Sequence, residues 1–273
     1  MSTQVEHAVG QGVSKGKWIS ARVGHVAKGV VYVVMGAIAF QAAIGQGQAT
    51  GSTGALQQIA QEPFGQVLLV LVGIGLFAYL IWRLIQAIAD VDNKGTDGKG
   101  VVKRIGFAIS GLVHGALGYT AFTIALGRGG GDGGSTQSMT AQLMSQPFGR
   151  WLVAIVGLIV FGYGVYAIVK GAKKKFARKL AMSRMKVKEA KWALRVGMIG
   201  LIARGVVFGI MGVFFFQAAL SAQPGQARGI GGALRSLLQQ PYGPWLLGAV
   251  AIGLIAYGIY MGVVAKYRKI PAG

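Results

Sequence analysis

Two basic residues stand inside the apolar runs of this 273-residue chain, and they are the groups best placed to do chemistry. Lys28 and Arg204 directly precede Gly29 and Gly205 in two similar stretches, and a third stretch carries Ser110 in that place. Read as helices, the runs put both cations about one turn inside the membrane, as residues that snorkel to lipid headgroups or as a basic mouth that holds an anion. No acidic residue (Glu6, Glu62, Asp90, Asp92, Asp97, Asp132, Glu189) falls mid-run to neutralise them. Cation-coupled transport commonly uses such carboxylates, so their absence argues against it and leaves a passive or anion-selective path open. An unpaired cation in hydrocarbon is costly, so a negative group is expected there, a headgroup phosphate first of all. Lys173, Lys174 and Lys175 approach from the same side and belong to the expected anion- and lipid-binding set. His114, about two turns into its run, is expected to bond a neighbouring helix, with a proton relay as the alternative. For His25, at the edge of its run, no role is expected. Tyr79, Tyr163 and Tyr257, each followed three residues later by Trp82, Tyr166 or Tyr260, read as an aromatic belt or as rings that contact the basic mouth.

Other chemistry is sparse. The chain has no cysteine, which excludes disulfides, thiolate metal sites and cysteine catalysis. No nucleophile–base pairing, metal-ligand spacing or nucleotide fingerprint is present, so no enzyme activity, metal or cofactor is expected. Gly129-Gly130-Gly131 and Gly133-Gly134 lack the preceding strand and following Lys-Ser/Thr of a phosphate loop, and read as a flexible extracytoplasmic loop. The net charge of +21 suits anionic lipid headgroups, with a protein partner at the basic face as a further expectation. Nucleic acid is not expected, because the basic residues abut the apolar runs and no nucleic-acid motif accompanies them.

The elements that must position these residues come from one unit used three times. Gly54-Ala55-Leu56 running to Pro63-Phe64-Gly65 returns as Gly232-Ala233-Leu234 to Pro241-Tyr242-Gly243, and a worn copy ends in Pro147-Phe148-Gly149. Each copy lies between two long apolar runs. With only 13% of residues charged, against about 25% in soluble domains, the runs read as membrane-spanning helices. Their expected limits are 24–44, 66–89, 105–126, 150–169, 198–220 and 244–264. The organisation expected is a flexible N-terminus (1–18), repeat 1 (19–90), a linker (91–104), repeat 2 (105–169), a basic linker (170–195), repeat 3 (196–265) and a tail (266–273). Residues 1–18 lack the apolar core of a signal peptide, so the first run is expected to stay as a helix.

Between the two spans of a unit, Leu56, Ile59 and Ala60 oppose Gln57, Gln58 and Gln61, and Leu234, Leu237 and Leu238 oppose Arg235, Ser236 and Gln239. That is the pattern of a short amphipathic helix in the interface. Pro63, Pro147 and Pro241 stop it, and the glycine two residues on is expected to free the backbone for the turn into the membrane. These corners read as structural, with a substrate lid as the other reading. In the basic linker, Phe176, Ala177, Leu180 and Ala181 suggest a basic amphipathic helix.

The fold class is therefore an all-α integral membrane protein: six transmembrane helices as three parallel two-helix repeats, with short interfacial helices between each pair. Gly36, Gly118 and Gly212, with Gly111-xxx-Gly115 and Gly205-xxx-Gly209, read as packing faces. They predict a pseudo-threefold bundle with the first helix of each unit inside and the second nearer lipid. Of 28 basic residues, 24 lie in the termini, the two long linkers and the adjoining helix ends. The positive-inside rule then places both termini in the cytoplasm of a bacterial inner membrane. The expected function is non-enzymatic, a basic cytoplasmic face that binds anionic lipid or a partner protein. The alternative is a passive channel or carrier for a small anionic or neutral solute.

Gly29-Val30-Val31-Tyr32, Gly36, Gln41-Ala42-Ala43, Gly54-Ala55-Leu56, Pro63-Phe64-Gly65 and Tyr79-Leu80-Ile81-Trp82-Arg83 resemble the bacterial domain-of-unknown-function family 1206, tandem two-helix membrane repeats. Ala203-Arg204-Gly205-Val206-Val207-Phe208 and Gln217-Ala218-Ala219 carry the same pattern, and the resemblance spans about residues 18–265. The second unit diverges, lacking the basic residue, the Gly-Ala-Leu and the Gln-Ala-Ala. The resemblance implies an integral membrane protein and assigns no activity.

Overall fold

The computed structural model describes residues 2–128 and 136–269, with side chains of the first helix described from Trp18 onward. The glycine-rich stretch 129–134 lies outside the described residues. Among the described residues nine α-helices follow one another: α1 (Ser2–Ala43), α2 (Ser52–Gln61), α3 (Gly65–Ile88), α4 (Gly98–Ala125), α5 (Thr136–Met144), α6 (Gly149–Ala172), α7 (Val187–Ser221), α8 (Ile230–Leu238) and α9 (Gly243–Tyr267). Six are long and apolar enough to cross a membrane: α1 from Trp18, α3, α4, α6, α7 and α9. The short helices α2, α5 and α8 link the two spans of each unit at one face, the corner face. The termini and the two linkers meet at the other, the end face.

Three helices begin earlier than their apolar runs. Helix α1 includes the polar N-terminal stretch that precedes the first apolar run. Asp97 caps α4 by accepting from the Gly100 amide at 3.2 Å, so the last residues of the 91–104 linker are helical. Glu189 accepts from the Lys186 amide at 3.0 Å and starts α7 inside the basic linker. That linker is not one amphipathic helix. It makes two 3-10 turns, Lys175–Lys179 and Met182–Arg184, and buries Phe176 and Leu180 in the end face. Phe176 fills the hollow beside Gly197 and packs edge-on to Tyr260, with ring centroids 5.2 Å apart. Burying two large apolar side chains outweighs helix continuity there.

The three corners share one geometry, and it differs from expectation. The left-handed residue is the aromatic, not the glycine: φ is 61° at Phe64, 59° at Phe148 and 60° at Tyr242. All three rings are exposed. Gly65, Gly149 and Gly243 follow with ordinary φ, and they are needed for space. A Cβ at each would run into the carbonyl of Ile59, Leu143 or Leu238, on the last turn of the preceding short helix. Close approach of two backbones, rather than rotational freedom, selects glycine here.

Packing runs in the order α4–α3–α1–α9–α7–α6. The second helix of each unit packs on the first helix of the next: α3 on α4, α6 on α7, and α9 back on α1. These are threefold-related contacts. Within units, α1 packs on α3 and α7 on α9, but α4 and α6 of the middle unit share no comparable interface. The bundle is a horseshoe with pseudo-threefold order whose middle unit is split across the gap. The expectation that first helices lie inside and second helices outside is thereby corrected: α1 and α9 are the most enclosed spans, α4 and α6 the least. Position around the horseshoe decides burial, not place within the unit.

The glycines do sit at helix contacts. Gly36 faces Ala251 and Ile255 of α9, Gly118 faces Gly73, Leu76 and Phe77 of α3, and Gly212 faces Phe161 of α6. Each lets a neighbouring backbone approach to a distance that a side chain would block.

Candidate functional site

All six spanning helices send a side chain to one centre. Lys28 and Tyr32 come from α1, Tyr79 from α3, His114 from α4, Tyr163 from α6, Arg204 and Phe208 from α7, and Tyr257 from α9. Threefold order explains the set: Lys28, Ser110 and Arg204 are equivalent, as are Tyr32, His114 and Phe208, and Tyr79, Tyr163 and Tyr257. Each tyrosine of a second helix meets the aromatic residue of the next unit's first helix. Ring centroids are 4.7 Å apart for Tyr79–His114, 5.3 Å for Tyr163–Phe208 and 4.6 Å for Tyr257–Tyr32.

The two cations are enclosed, at 2% exposure for Lys28 and 7% for Arg204. They do not snorkel to the end face. Lys28 lies 15 residues from Ala43, the corner end of α1. At about 1.5 Å per residue and a hydrocarbon layer of about 30 Å, that places it roughly one and a half turns inside the end-face edge.

Tyrosine hydroxyls take the place of carboxylates. Arg204 Nε donates to Tyr32 Oη at 3.1 Å, and its Nη1 donates to Tyr163 Oη at 2.8 Å and Tyr257 Oη at 3.2 Å. The guanidinium carbon also lies 4.8 Å from the Phe208 centroid and 4.9 Å from that of Tyr257. Lys28 Nζ donates to Tyr79 Oη at 3.1 Å and lies 4.7 Å from that ring's centroid. Arg83 Nε donates to the same hydroxyl at 2.8 Å and Arg83 Nη1 to Gln86 Oε1 at 3.1 Å. Ring faces and hydroxyl dipoles lower the cost of these cations without cancelling their charge. Two N–H groups of Lys28, and Nη2 of Arg204, have no protein partner among the described residues.

The other candidates distribute as follows. His114 donates from Nδ1 to the Ser110 carbonyl of its own helix at 2.7 Å, not to a neighbouring helix. His25, for which no role was expected, is buried edge-on to Tyr79 at 5.3 Å. Tyr79 and Tyr257 are core groups of the centre, whereas Tyr163 is 40% exposed and Tyr166 stands outside on the surface of α6. Lys173, Lys174 and Lys175 are exposed at the end face, and no contact joins them to Lys28 or Arg204 among the described residues. Pro63, Pro147 and Pro241 lie at the corners, remote from the centre. Arg83 is the residue that sequence reasoning missed; its position one turn after Tyr79, aimed at the same hydroxyl, is the signal that could have found it.

Both ends of the centre are closed. Toward the corner face, Met35, Leu69, Leu76, Leu247 and Leu254 form a buried apolar plug. Toward the end face, Trp82, Phe176, Leu180 and Tyr260 cover it. Above them Asp92 ties the end face together, accepting from Lys179 Nζ at 2.7 Å, Gln86 Nε2 at 3.0 Å and Arg268 Nη2 at 3.1 Å. The chain pairing Lys269 N to Lys179 O at 2.9 Å and Ala181 N to Tyr267 O at 2.8 Å straps the basic linker to the tail.

Six membrane-length helices made from a thrice-used two-helix unit, gathered around a cationic centre, define a multi-pass membrane protein of tandem-repeat type. The chain belongs to the family described as Domain of Unknown Function (DUF1206), which matches residues 23–90, 105–174 and 199–268. It is similar to a Bacillus subtilis (strain 168) protein titled "Uncharacterized protein YxxB", with 36% identity over 253 residues and 92% of each chain covered. No solved structure matches it.

Proposed function

We propose that this protein is a non-enzymatic membrane binder whose Lys28–Arg204 centre holds an anionic group, either a lipid headgroup phosphate or a small oxoanion. The observation that carries this is the pair of enclosed cations with spare N–H donors and no carboxylate beside them. In helices α3 to α9 the only acidic residue is Glu189, in the first turn of α7. Ser110 adds to it. Where threefold order calls for a third long cationic side chain there is only a small hydroxyl. Burying such charge is favourable only when a counter-charge and hydrogen bonds complete it.

The apolar plug toward the corner face favours holding over passing, because a conduction path needs polar lining on both sides of its site. Passive anion movement is the second reading, and it requires that plug to open. The end face, with its exposed Lys173, Lys174 and Lys175, then lies in the cytoplasm, drawn to anionic headgroups by the positive-inside bias. Reporter fusions at Gly47 and Ala227 are expected to read extracytoplasmic, and fusions at Gly95 and Ala181 cytoplasmic. The reverse pattern would place the basic face outside and remove the cytoplasmic lipid surface from this reading.

The function is tested with Lys28→Gln/Arg204→Gln in the full chain. Loss of two charge-assisted bonds is expected to weaken retention of phosphatidylglycerol or cardiolipin by about tenfold or more in native mass spectrometry, with helical content unchanged. Unchanged lipid retention, together with no change in oxoanion binding or flux, would show that the two cations serve only insertion.

A further inference from the structure

From the split middle unit we infer that the gap between α4 and α6 is a lateral entry, through which the phosphate of an anionic membrane lipid reaches Arg204 and Lys28. This rests on the reading that the centre holds an anionic group, and it names the ligand class and the route. Three observations carry it.

The first is elimination. The corner side of the centre is filled by the Met35, Leu69, Leu76, Leu247 and Leu254 plug, and the end side by Trp82, Phe176, Leu180 and Tyr260. Neighbouring helices close the horseshoe at five interfaces, and the α4–α6 position lacks one.

The second is that the gap is built into the side chains. In the outer units, first and second helices touch through paired small residues: Ala27 meets Gly75, and Ala203 meets Gly253. The equivalent middle-unit pair is Ile109 and Ile159, exposed at 56% and 64%. Gly24 and Gly200 lie against the backbones of Tyr79 and Tyr257, while a Cβ at the equivalent Gly106 would meet nothing within 4 Å. Large residues stand where close approach would need small ones.

The third is what borders the gap. Ser110 and His114 on α4 are half-buried, and Tyr163 on α6 is partly exposed while holding Arg204 through its hydroxyl at 2.8 Å. A polar border on an otherwise apolar flank, leading to two cations about one and a half turns below the headgroup level, is complementary to an amphiphile. Its phosphate would bind the cations and its chains would remain in the bilayer. A free oxoanion would have to cross the apolar end cover instead.

The chain has no cysteine, so Ser110→Cys provides a single thiol at the gap. The test follows its reaction with N-ethylmaleimide in detergent-solubilised full-length protein, with dioleoyl phosphatidic acid, dioleoyl phosphatidylcholine or inorganic phosphate added. Phosphatidic acid is expected to slow labelling by about tenfold, as for loss or gain of one strong charge-assisted contact. Phosphatidylcholine and inorganic phosphate should not slow it, and Arg204→Gln in the Ser110→Cys background should remove the protection. Lys28→Gln serves as the second variant if the first does not fold. Equal protection by phosphatidylcholine overturns the inference, since the gap is then an ordinary lipid-facing surface. Protection by inorganic phosphate but not phosphatidic acid also overturns it while leaving the anion-binding centre standing. No protection by any of the three overturns it too, and lipid retention in the double Gln variant then decides the centre separately.

Discussion

Gly24→Val and Gly200→Val are expected to prevent assembly of the bundle, while Gly106→Val, the same change in the middle unit, is expected to be nearly silent. A Cβ at Gly24 would lie 2.5 Å from Tyr79 Cα, and one at Gly200 would lie 2.5 Å from Tyr257 Cα. Neither neighbour can move as a flexible side chain would, because each is backbone in the middle of a spanning helix. Separating α1 from α3, or α7 from α9, would also pull Tyr79 from Lys28 or Tyr257 from Arg204. The cost should reach about 3 kcal/mol, the upper end for overpacking, with the loss of those hydrogen bonds added. Gly106 faces open space, and valine there fits the apolar surroundings of α4. Yield of monodisperse protein and thermal melting of the three variants check the expectation. If Gly106→Val is as damaging as the other two, α4 and α6 are packed and the horseshoe is a closed ring.

Asp92→Asn is expected to loosen the end face by about 3 kcal/mol, the low end for breaking a buried pair, because Lys179 is partly exposed and Arg268 is left enclosed without a counter-charge. Two separate segments lose their common counter-charge in the first linker at once: the basic linker through Lys179 and the tail through Arg268. The effect has a defined pH signature. Burial alone raises the Asp92 carboxyl, but Arg268 and Lys179 outweigh it and hold it down at about 2. The folded value lies below the unfolded one of about 3.9, so the carboxylate's contribution is complete above about pH 5 and fades as pH falls toward 2. The wild-type melting temperature should therefore be flat from pH 5 to 7 with respect to this group and fall at lower pH. Asp92→Asn should melt lower at pH 7 and lose part of the acid-induced fall. With only seven carboxylates in the chain, few other groups share that window. An acid profile identical in the two proteins would mean that the Asp92 cluster contributes nothing to stability.

The sequence by itself determined the elements. Apolar run length, the recurrence of Pro-aromatic-Gly and the short Leu-bearing segments between runs specify six spanning helices in three units, because backbone polar groups in hydrocarbon must bond within their own helix. It also singled out Lys28 and Arg204, since a cation inside such a run has no innocuous solvent. Even the split of the middle unit stands in the sequence: Ile109 and Ile159 replace the Ala–Gly pairs of Ala27–Gly75 and Ala203–Gly253. That signal has meaning only once the pairs are known to touch.

Tertiary structure decided the rest. Which helix lies inside followed from the order of neighbours around the horseshoe, not from the glycine content of first helices, because every span here carries small residues and any could have been central. The partners of the cations are non-local. Tyr32 is 172 residues from Arg204, and Tyr79 is 51 from Lys28, so no spacing rule links them. The tyrosines' role as hydroxyl acceptors rather than an interfacial belt depends on helix rotation, which neighbouring contacts set. The corner glycines show the same division. Their recurrence marked a turn, but only the packing of two backbones revealed that Phe64, Phe148 and Tyr242 carry the left-handed conformation while the glycine supplies the space.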